Sequence, residues 1–514
     1  MRVSQRLPRI LAAVGLLAMP LITPPTAWSD PEPLLLTVRL DSVTPDMVTT
    51  SSPSTVTVNG TVTNTGDRAV RDVVARLEHG PAINSTAALR SSLAVGGGFE
   101  GVGDFISLTG ELGRGQAAGF SFSVPISTGS KPSLRIDAPG VYPLLVNVNG
   151  TPEGGAPASL DEARFLLPVS GVPADPANTA ANAVTDAVAP DTTKPVAVTM
   201  LWPLADKPRL APGVPGGTNP VRLMDDDLAV SLAAGGRLDA LLGAAEFATS
   251  PGAIDPGTGV DRALCLAVDP DLLVTVNAMT AGYVVADAAD GLGTAAHPGT
   301  GQAAAAAWLD RLRGLARRMC VTATPYAQAD LGALYRVGDS ALSASATSHA
   351  GDVVDRILGV TSARGVTVLG DGPLTAAAAE LLETQSATVV LAPSESPEAT
   401  ADLTVRRLSS RVVMAPFDPA VGAALAGVGT DPTVPSYLDA SLSVPVDHDS
   451  PVARRQDGVA AIVWRALQPG TEPRSQLLVP PMKWSPQADD ARALLTTLAN
   501  LMRAGLANPR PLPE

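Results

Sequence analysis

The side chains best suited to chemistry are carboxylates near the ends of predicted strands. Asp269 directly follows the apolar run 263–268, and Asp225, Asp226 and Asp227 form a run of acids upstream. Glycoside hydrolysis needs two carboxyl groups flanking the bond, one of them kept protonated by an apolar environment. Asp269 and Asp226 are therefore the candidate catalytic pair.

Further acids and aromatic rings also follow predicted strands. Rings stack on the apolar faces of sugars, and carboxylates accept hydrogen bonds from sugar hydroxyls. Right-handed crossovers place the carboxyl ends of parallel strands on one face, so these side chains are expected to converge. The candidate ligand-binding residues are Trp202, Asp206, Asp225, Asp227, Asp271, Tyr326, Asp371, Asp418 and Trp484.

Helix capping is an alternative role for the same acids. An aspartate before a helix accepts hydrogen bonds from backbone N–H groups of the first turn, and proline is favoured at the first helical position. The run 225–227, Asp371 and Asp418 each precede a predicted helix. The sequence leaves open whether these acids line a ligand cleft or hold helix ends.

Two cysteines, Cys265 and Cys320, each precede a predicted strand-end residue by four positions. If their strands are parallel neighbours, the sulfurs lie in matching register, and export to an oxidising compartment would let them form a disulfide. Buried thiols that pack as small apolar side chains are the alternative. No nearby histidine completes a metal site, and neither a metal nor a cofactor is predicted.

Several enzyme classes lack their sequence signatures. A zinc deacetylase needs His and Asp ligands that converge on one ion, but the histidines are scattered. There is no G-x-S-x-G elbow, no P-loop and no G-x-G-x-x-G after a strand, so serine hydrolases, nucleotide enzymes and NAD enzymes have no support. The four histidines are His79, His297, His349 and His448.

The strands that must position the candidate residues alternate with helical segments from residue 196 onward. Short apolar runs bounded by turn signals are typical of buried parallel strands. The alternation predicts an α/β domain, either an irregular (β/α) barrel or an open, mostly parallel sheet, and the connection lengths favour the barrel. The predicted strands are Val196–Leu201, Ala263–Val268, Cys320–Thr324, Gly365–Leu369, Ala387–Leu391, Arg411–Ala415 and Gln476–Val479.

The region before this α/β domain has the alternating pattern of antiparallel strands, clearest in Ser54–Gly66. Regularly spaced strands of this kind predict an immunoglobulin-like β-sandwich that acts as a spacer or as a binding module. The segment that follows the sandwich is rich in Ala, Pro, Asn and Thr, which is typical of a linker. The predicted organisation is a signal peptide at 1–29, the sandwich at 30–169, the linker at 170–195 and the α/β domain at 196–514.

The N-terminus has the features of a secretory signal peptide. Arg2, Arg6 and Arg9 precede the apolar stretch Ile10–Ile22, and Ala27–Ser29 is a small-residue cleavage site. A retained signal anchor is the alternative. No later apolar run approaches about 18 residues, so no transmembrane anchor is expected after cleavage, and the predicted location is secreted, periplasmic or the cell envelope.

The composition of the chain argues against some classes of binding partner. It has 514 residues, of which 45% are hydrophobic and 17% charged, as in globular proteins with more than one domain. The formal net charge is −14, and loss of the three leader arginines makes it more negative. Nucleic acids and anionic membrane surfaces bind clustered Lys and Arg, so neither is an expected partner.

Six short segments occur in this order along the chain: Gly60–Gly66, Leu201–Asp206, Asp225–Leu228, Ala267–Leu273, Thr324–Ala327 and Val479–Trp484. This ordered set resembles an uncharacterised family of exported actinobacterial, mycobacterial-type cell-envelope proteins. The resemblance covers most of the chain after the leader.

That resemblance implies a role beside a lipid-linked peptidoglycan precursor flippase. It also implies a middle region similar to a degenerate deacetylase or glycosidase barrel. Family members are longer and carry a C-terminal transmembrane helix, whereas this chain stops at Glu514, which suggests a shortened form. Two functions remain: a non-catalytic envelope protein that binds glycan or a partner protein, or a hydrolase of cell-wall glycan that acts through strand-end aspartates.

Overall fold

The structure is a computed structural model with several β-sheets and helices in a mixed α/β arrangement. The predicted signal peptide and part of the predicted linker lie outside the residues that it describes. The described residues are 34–94, 98–129, 132–175, 186–212, 220–288, 295–394, 403–438, 446, 448–468 and 474–512.

Two antiparallel sheets form the N-terminal part of the described chain. Inward residues such as Val58, Phe120, Val146 and Phe165 alternate with outward ones, because successive strand side chains point to opposite faces. One sheet contains β1 (Leu36–Thr44), β2 (Thr55–Asn64) and β6 (Ala117–Pro125). The other contains β3 (Val70–His79), β4 (Glu100–Gly101), β5 (Ile106–Leu112), β7 (Gly140–Pro152) and β8 (Ala158–Val169), and a helix, α1 (Thr86–Leu93), follows β3.

All seven predicted parallel strands are present, divided between two hydrogen-bonded sheets. The first has the order β14-β11-β9-β19, with β20 also paired to β9, and the second has the order β15-β16-β18-β17. All of these strands pair in parallel except β17, which pairs antiparallel with β18. The bounds are β9 (Val196–Leu204), β11 (Leu264–Val268), β14 (Cys320–Ala323), β15 (Val366–Val368), β16 (Thr388–Pro393), β17 (Arg406–Arg407), β18 (Val412–Phe417), β19 (Ser475–Leu478) and β20 (Ala507–Pro509).

A small third sheet, which the sequence analysis did not predict, joins β10 (Val221–Leu223), β12 (Tyr283–Ala286) and β13 (Ala296–Pro298). The strands of the parallel sheets are separated by helices, most of which bury residues in one large apolar core, whereas α7 and α10 pack in a smaller cluster against the second parallel sheet. These helices are α2 (Asp227–Leu232), α3 (Arg237–Ala248), α4 (Val260–Ala263), α5 (Pro270–Thr280), α6 (Gln302–Ala316), α7 (Leu331–Val337), α8 (Ser340–Ala346), α9 (Ala350–Leu358), α10 (Ala376–Thr384), α11 (Pro419–Gly427), α12 (Pro451–Leu467) and α13 (Ala488–Arg503). Single 3-10 turns lie at Pro256–Thr258 and Tyr326–Gln328.

The two cysteines form a disulfide, as predicted. Cys265 on β11 and Cys320 on β14 are partners in the parallel register, with their Cα atoms 4.5 Å apart. The bond therefore links two strands whose ends carry candidate residues.

One helical stretch among the described residues, Asp227–Ala248, is long and apolar enough by composition to cross a membrane. It consists of α2 and α3 with a turn between them, and half of its most apolar window is buried inside the protein. Leu228, Leu238 and Leu241 belong to the large core, which explains the apolar composition without a membrane.

Candidate functional site

The loops after β9, β11 and β14 meet at the carboxyl ends of the first parallel sheet. Gln328, after β14, makes the link: its side-chain N–H donates to the backbone oxygen of Asp206 at 3.2 Å and to Oδ2 of Asp269 at 3.3 Å. The predicted convergence is therefore present for Asp206 and Asp269, and also for Tyr326 and Asp271, described below.

Asp269 is fully buried and caps α5. Its Oδ1 accepts hydrogen bonds from the backbone N–H groups of Asp271 and Ala327, each at 3.0 Å. Burial raises the pKa of Asp269 to about 6, although these hydrogen bonds favour the charged form and oppose the shift. Asp269 thus has a raised pKa, but its oxygens already accept hydrogen bonds from the protein.

The turn that contacts Asp269 has an unusual backbone. Ala327 and Gln328 both have positive φ, 53° and 51°, which costs about 1–2 kcal/mol for each non-glycine residue. Before them, Tyr326 shares a side-chain hydrogen bond with Asp271. Burial, reinforced by the Asp271 charge, raises the pKa of Tyr326 to about 12, and burial also raises the pKa of Asp271. Contacts from Asp269 and Asp271 therefore hold a strained turn.

Asp226 is positioned by different groups from those around Asp269. Its carboxylate accepts a hydrogen bond from the Tyr283 hydroxyl, and two from Thr300, through the backbone N–H at 3.0 Å and the hydroxyl at 2.6 Å. Burial alone would raise the pKa of Asp226, but the bonds from Thr300 and Tyr283 outweigh it and lower the pKa. The two members of the candidate catalytic pair share no hydrogen-bonding partner among the described residues.

The remaining acids of this loop are paired with basic side chains. Arg209, which is 6% exposed, forms ion pairs with Asp206, Asp225 and Asp227. Lys207 adds a pair with Asp225 at 3.1 Å. The charges of these acids are therefore balanced by basic neighbours, although the side chain of Asp227 remains 70% exposed.

Arg237, which the sequence analysis did not single out, lies at the same strand ends. It pairs with Asp206 at 3.4 Å and donates to the backbone oxygens of Ala205 at 2.8 Å and Trp484 at 3.1 Å. Its guanidinium therefore satisfies backbone oxygens that lie after β9 and β19. No local motif marks this role, because the carbonyl partners are distant in sequence.

The predicted stacking platforms are not at the surface, so that part of the prediction is wrong. Trp202 and Trp484 are 0% and 1% exposed and pack edge-to-face with ring centroids 5.2 Å apart. Their indole N–H groups donate to the backbone oxygens of Leu241 and Leu425. Trp202 lies within β9 and Trp484 follows β19, and both rings fill the core, where no sugar can reach their faces.

Asp371 and Asp418 lie at the ends of the second parallel sheet. Asp371 accepts from the Met482 N–H at 3.1 Å, and burial raises its pKa. Asp418 caps α11 through the Ala420 N–H at 2.9 Å and accepts from the Thr86 hydroxyl at 2.9 Å. Asp418 is 2% exposed, so it acts as a buried cap and does not line a cleft.

An open cavity of about 350 Å³ lies between the ends of β14 and β15. Polar groups of Gln328, Asp330, Asp371 and Ser436 line it, together with the glycines of the Gly370–Gly372 turn. The Ser436 hydroxyl donates to the Asp371 backbone oxygen at 2.8 Å. Of the candidate residues, Asp371 is the one that lines this cavity.

The arrangement suits hydrogen bonding better than bond cleavage. The carboxylates of Asp269 and Asp226 each accept hydrogen bonds from protein groups, and the two sets of donors do not overlap. Within the described part of the chain, no three His, Cys, Asp or Glu side chains are grouped as metal ligands. The cavity beside Asp371 offers amide, carboxylate and hydroxyl groups to a polar ligand.

Comparison with known proteins gives a family but no activity. A family model described as "Family of unknown function (DUF6049)" matches residues 2–416, which is more than half of the chain. No curated protein matches this chain.

The similarity of this chain to solved structures is partial and weak. A CARDB domain from Pyrococcus furiosus is 17% identical over 26% of this chain and 86% of its own, with a TM-score of 0.16. The sporulation control protein Spo0M from Bacillus subtilis is 13% identical over 28% of this chain and 51% of its own, with a TM-score of 0.18. A beta-glucosidase from Listeria innocua is 14% identical over 26% of this chain and 16% of its own, with a TM-score of 0.17. These TM-scores are too low to indicate a shared function.

Proposed function

We propose that this chain, which belongs to the family of unknown function DUF6049, is an exported cell-envelope protein that binds glycan without cleaving it. The observation that carries the proposal is the state of the strand-end acids. Asp269 and Asp418 accept backbone hydrogen bonds, Asp206 is ion-paired, and the cavity beside Asp371 keeps polar groups at its surface. Binding needs such surface groups, whereas hydrolysis also needs two free carboxyl groups.

A glycan suits the cavity because its lining combines hydrogen-bond acceptors and donors. The Asp371 carboxylate and the Gln328 amide are complementary to sugar hydroxyls. The acidic net charge disfavours polyanionic ligands, so neutral or positively charged segments of a cell-wall polymer fit best.

Export is supported by the leader-like N-terminus and by the disulfide. Disulfides persist in oxidising compartments outside the cytosol, where a cell-wall glycan is also found. The resemblance to exported actinobacterial envelope proteins supports, as part of this proposal, a role beside a peptidoglycan precursor flippase.

For the fold, we infer an immunoglobulin-like sandwich at the N-terminus, because its two antiparallel sheets share one apolar core. For the parallel strands we infer an irregular barrel. One inner cluster takes Leu201 and Cys265 from the first sheet and Leu391 and Phe417 from the second, which is expected when both sheets surround one interior. A bridge between Thr322 and residue 363, just before β15, supports closure on one side.

The test of glycan binding uses a substitution that blocks the cavity without straining the fold. A Cβ atom added at Gly370 meets no atom within 4 Å and the residue has no positive φ, so Gly370→Phe introduces a ring at the lining without backbone strain. We expect wild-type protein to bind muropeptide or arabinogalactan fragments in calorimetric titration, and Gly370→Phe to weaken binding about tenfold or more.

Gly252→Phe is the matched control, since Gly252 also has open space and an ordinary backbone, but lies away from the cavity. Equal affinity of wild type, Gly370→Phe and Gly252→Phe would show that a ligand, if bound, uses another surface. No heat of binding with either class of fragment would contradict the glycan assignment itself.

The alternative, a hydrolase of cell-wall glycan, is favoured by one observation. Asp269 is a buried carboxyl group with a pKa of about 6 beside a strained turn, and general acids and strained backbone both occur at active sites. In that case Asp269 would act as the acid. Its counterpart would have to be a residue other than Asp226, whose carboxylate is held by Tyr283 and Thr300.

A further inference from the structure

A second cavity, of about 390 Å³, lies at the opposite, amino-terminal ends of the parallel strands. It is bordered by the first residues of β9 and β19, Ala197 and Ser475, by strands of the second parallel sheet, and by the chain segment Arg510–Leu512. The cavity beside Asp371 borders the carboxyl ends of β14 and β15 and shares no lining residue with this one, so the two cavities are separate.

The inner wall of this second cavity is apolar. Val389, Leu391, Val413 and Leu477 line it from the two parallel sheets, and Leu512 lines it from the end of the described chain. Protein interiors are normally packed with few voids larger than a water molecule, so an apolar space of this size indicates room for an apolar guest. Small side chains, such as Ala415, leave the space unfilled.

The mouth of the cavity exposes apolar surface. Val405 lines the cavity yet is 61% exposed, and Leu408, close by in the chain, is 45% exposed. Apolar groups that continue from a cavity to solvent favour entry of a hydrocarbon chain over entry of a sugar, whose hydroxyls would lose their hydrogen bonds to water.

Positive charge lies beside the mouth, although the chain as a whole is acidic. Arg407 is exposed and is the antiparallel partner of Val413, so both side chains lie on the same face of the sheet. Arg364 and Arg510 also line the cavity, and Arg364 is partly neutralised by Asp352 and Asp355. Arg407, on the edge strand β17, and Arg364, before the opposite edge strand β15, are at different sides of the second sheet, so Arg407 is the group complementary to an anionic head held beside Val405.

We propose that this cavity binds a fatty acid, with its hydrocarbon chain between the two parallel sheets and its carboxylate beside Arg407. The apolar wall supplies the affinity for the chain, and Arg407 selects the charged head. This site is independent of glycan binding, and either assignment can fail without the other.

The test is a calorimetric titration of the full chain with octanoate, decanoate and dodecanoate, with dodecanol as the uncharged analogue. Each methylene that enters the cavity should tighten binding about fourfold. Dodecanol should bind more weakly than dodecanoate, and Arg407→Gln should reduce that difference. Equal affinity for dodecanoate and dodecanol would overturn the assignment of the head group, and an affinity independent of chain length would overturn the assignment of the cavity.

Two substitutions separate loss of the site from loss of the fold. Val405→Asp places a charge at the mouth and should abolish dodecanoate binding, whereas Val230→Asp, at a valine of α2 that is 72% exposed, should leave it unchanged. Ala415→Leu fills the cavity and should abolish binding without lowering the melting temperature. If Ala415→Leu instead destabilises the protein and the wild type binds no dodecanoate, another part of the chain occupies the space, and the proposal is wrong.

Discussion

At the scale of single residues, Asp457 is a buried acid at the junction between the N-terminal sheets and the parallel strands. It is 4% exposed on α12 and accepts a hydrogen bond from the Leu166 N–H of β8 at 3.0 Å. Burial raises its pKa to about 8, and the charge of Asp449 adds to the shift, while Arg164 opposes it. Asp457 should therefore be largely protonated at neutral pH.

This pKa predicts that the protein becomes less stable as the pH rises. The folded chain keeps the Asp457 proton up to about pH 8, whereas the unfolded chain loses it near the ordinary value of 3.8. The stabilisation is complete below that lower value and is lost as the pH rises through about 8. Asp457→Asn keeps an acceptor for Leu166 but removes the proton equilibrium.

The measurement is the free energy of unfolding by urea at pH 5 and pH 8. Wild type should lose on the order of 3 kcal/mol more than Asp457→Asn over this interval, because each pKa unit corresponds to about 1.4 kcal/mol. Asp489→Asn, at an acid whose side chain is 87% exposed, should follow the wild type. Identical pH profiles for wild type and Asp457→Asn would contradict the raised pKa.

The sequence predicted where the acids would lie, but not which groups would form hydrogen bonds with them. Asp269 was correctly expected at a strand end, because an apolar run that stops at Asp-Pro marks the edge of a sheet. The burial of Trp202 and Trp484 could not be predicted from residue type and sequence position. A ring near a strand end is compatible with a surface platform or with the core, and only the observed extension of β9 past Trp202 and the tertiary packing distinguish the two.

At the scale of elements, Asp269 connects the start of α5 to the turn at 326–328. Replacement by alanine would leave the N–H groups of Asp271 and Ala327 without their acceptor in a buried setting, at a cost of about 1–3 kcal/mol each. We therefore predict that Asp269→Ala lowers the free energy of unfolding by about 3 kcal/mol in a urea titration.

A cap at an exposed helix start provides the comparison. Asp339 accepts from the N–H groups of Ala341 and Leu342 at the surface, so Asp339→Ala should cost about 1 kcal/mol. Equal losses for Asp269→Ala and Asp339→Ala would mean that Asp269 does not stabilise the strained turn.

The buried strands could be located from the sequence because continuous apolar runs have few alternative structures. Predicted strands such as Ala387–Leu391 match observed ones within a few residues. Short elements such as β10, β12 and β13 were missed, since three or four residues carry too little periodicity to be recognised. The pairing of Cys265 with Cys320 followed from strand register and is confirmed.

At the scale of the whole molecule, the N-terminal sheets are not simply tethered to the parallel strands. Arg164 of β8 forms an ion pair with Asp449 at 2.8 Å and lies 3.7 Å from the carboxyl group of Asp457, and Thr86 bonds to Asp418. Even the segment expected to be only a linker has a bridge between Val172 and Val188. These partners lie hundreds of residues apart, so no local pattern predicts them, and a flexible spacer was the natural expectation from composition.

This arrangement gives the parallel strands two accessible ends with different chemistry. Polar groups surround Asp371 at one end, and an apolar cavity with arginines at its mouth lies at the other. The polar end bears directly on the central claim, that the chain binds cell-wall glycan and that its strand-end acids hold loops in place.

The most direct measurement is the mass of peptidoglycan and arabinogalactan fragments after prolonged incubation with a saturating amount of the protein. We predict that bound fragments are recovered at their original mass, and that Asp269→Asn gives the same result. Shortened or deacetylated fragments from the wild type, absent with an Asp269→Asn protein of unchanged melting temperature, would contradict the claim and establish Asp269 as a catalytic acid.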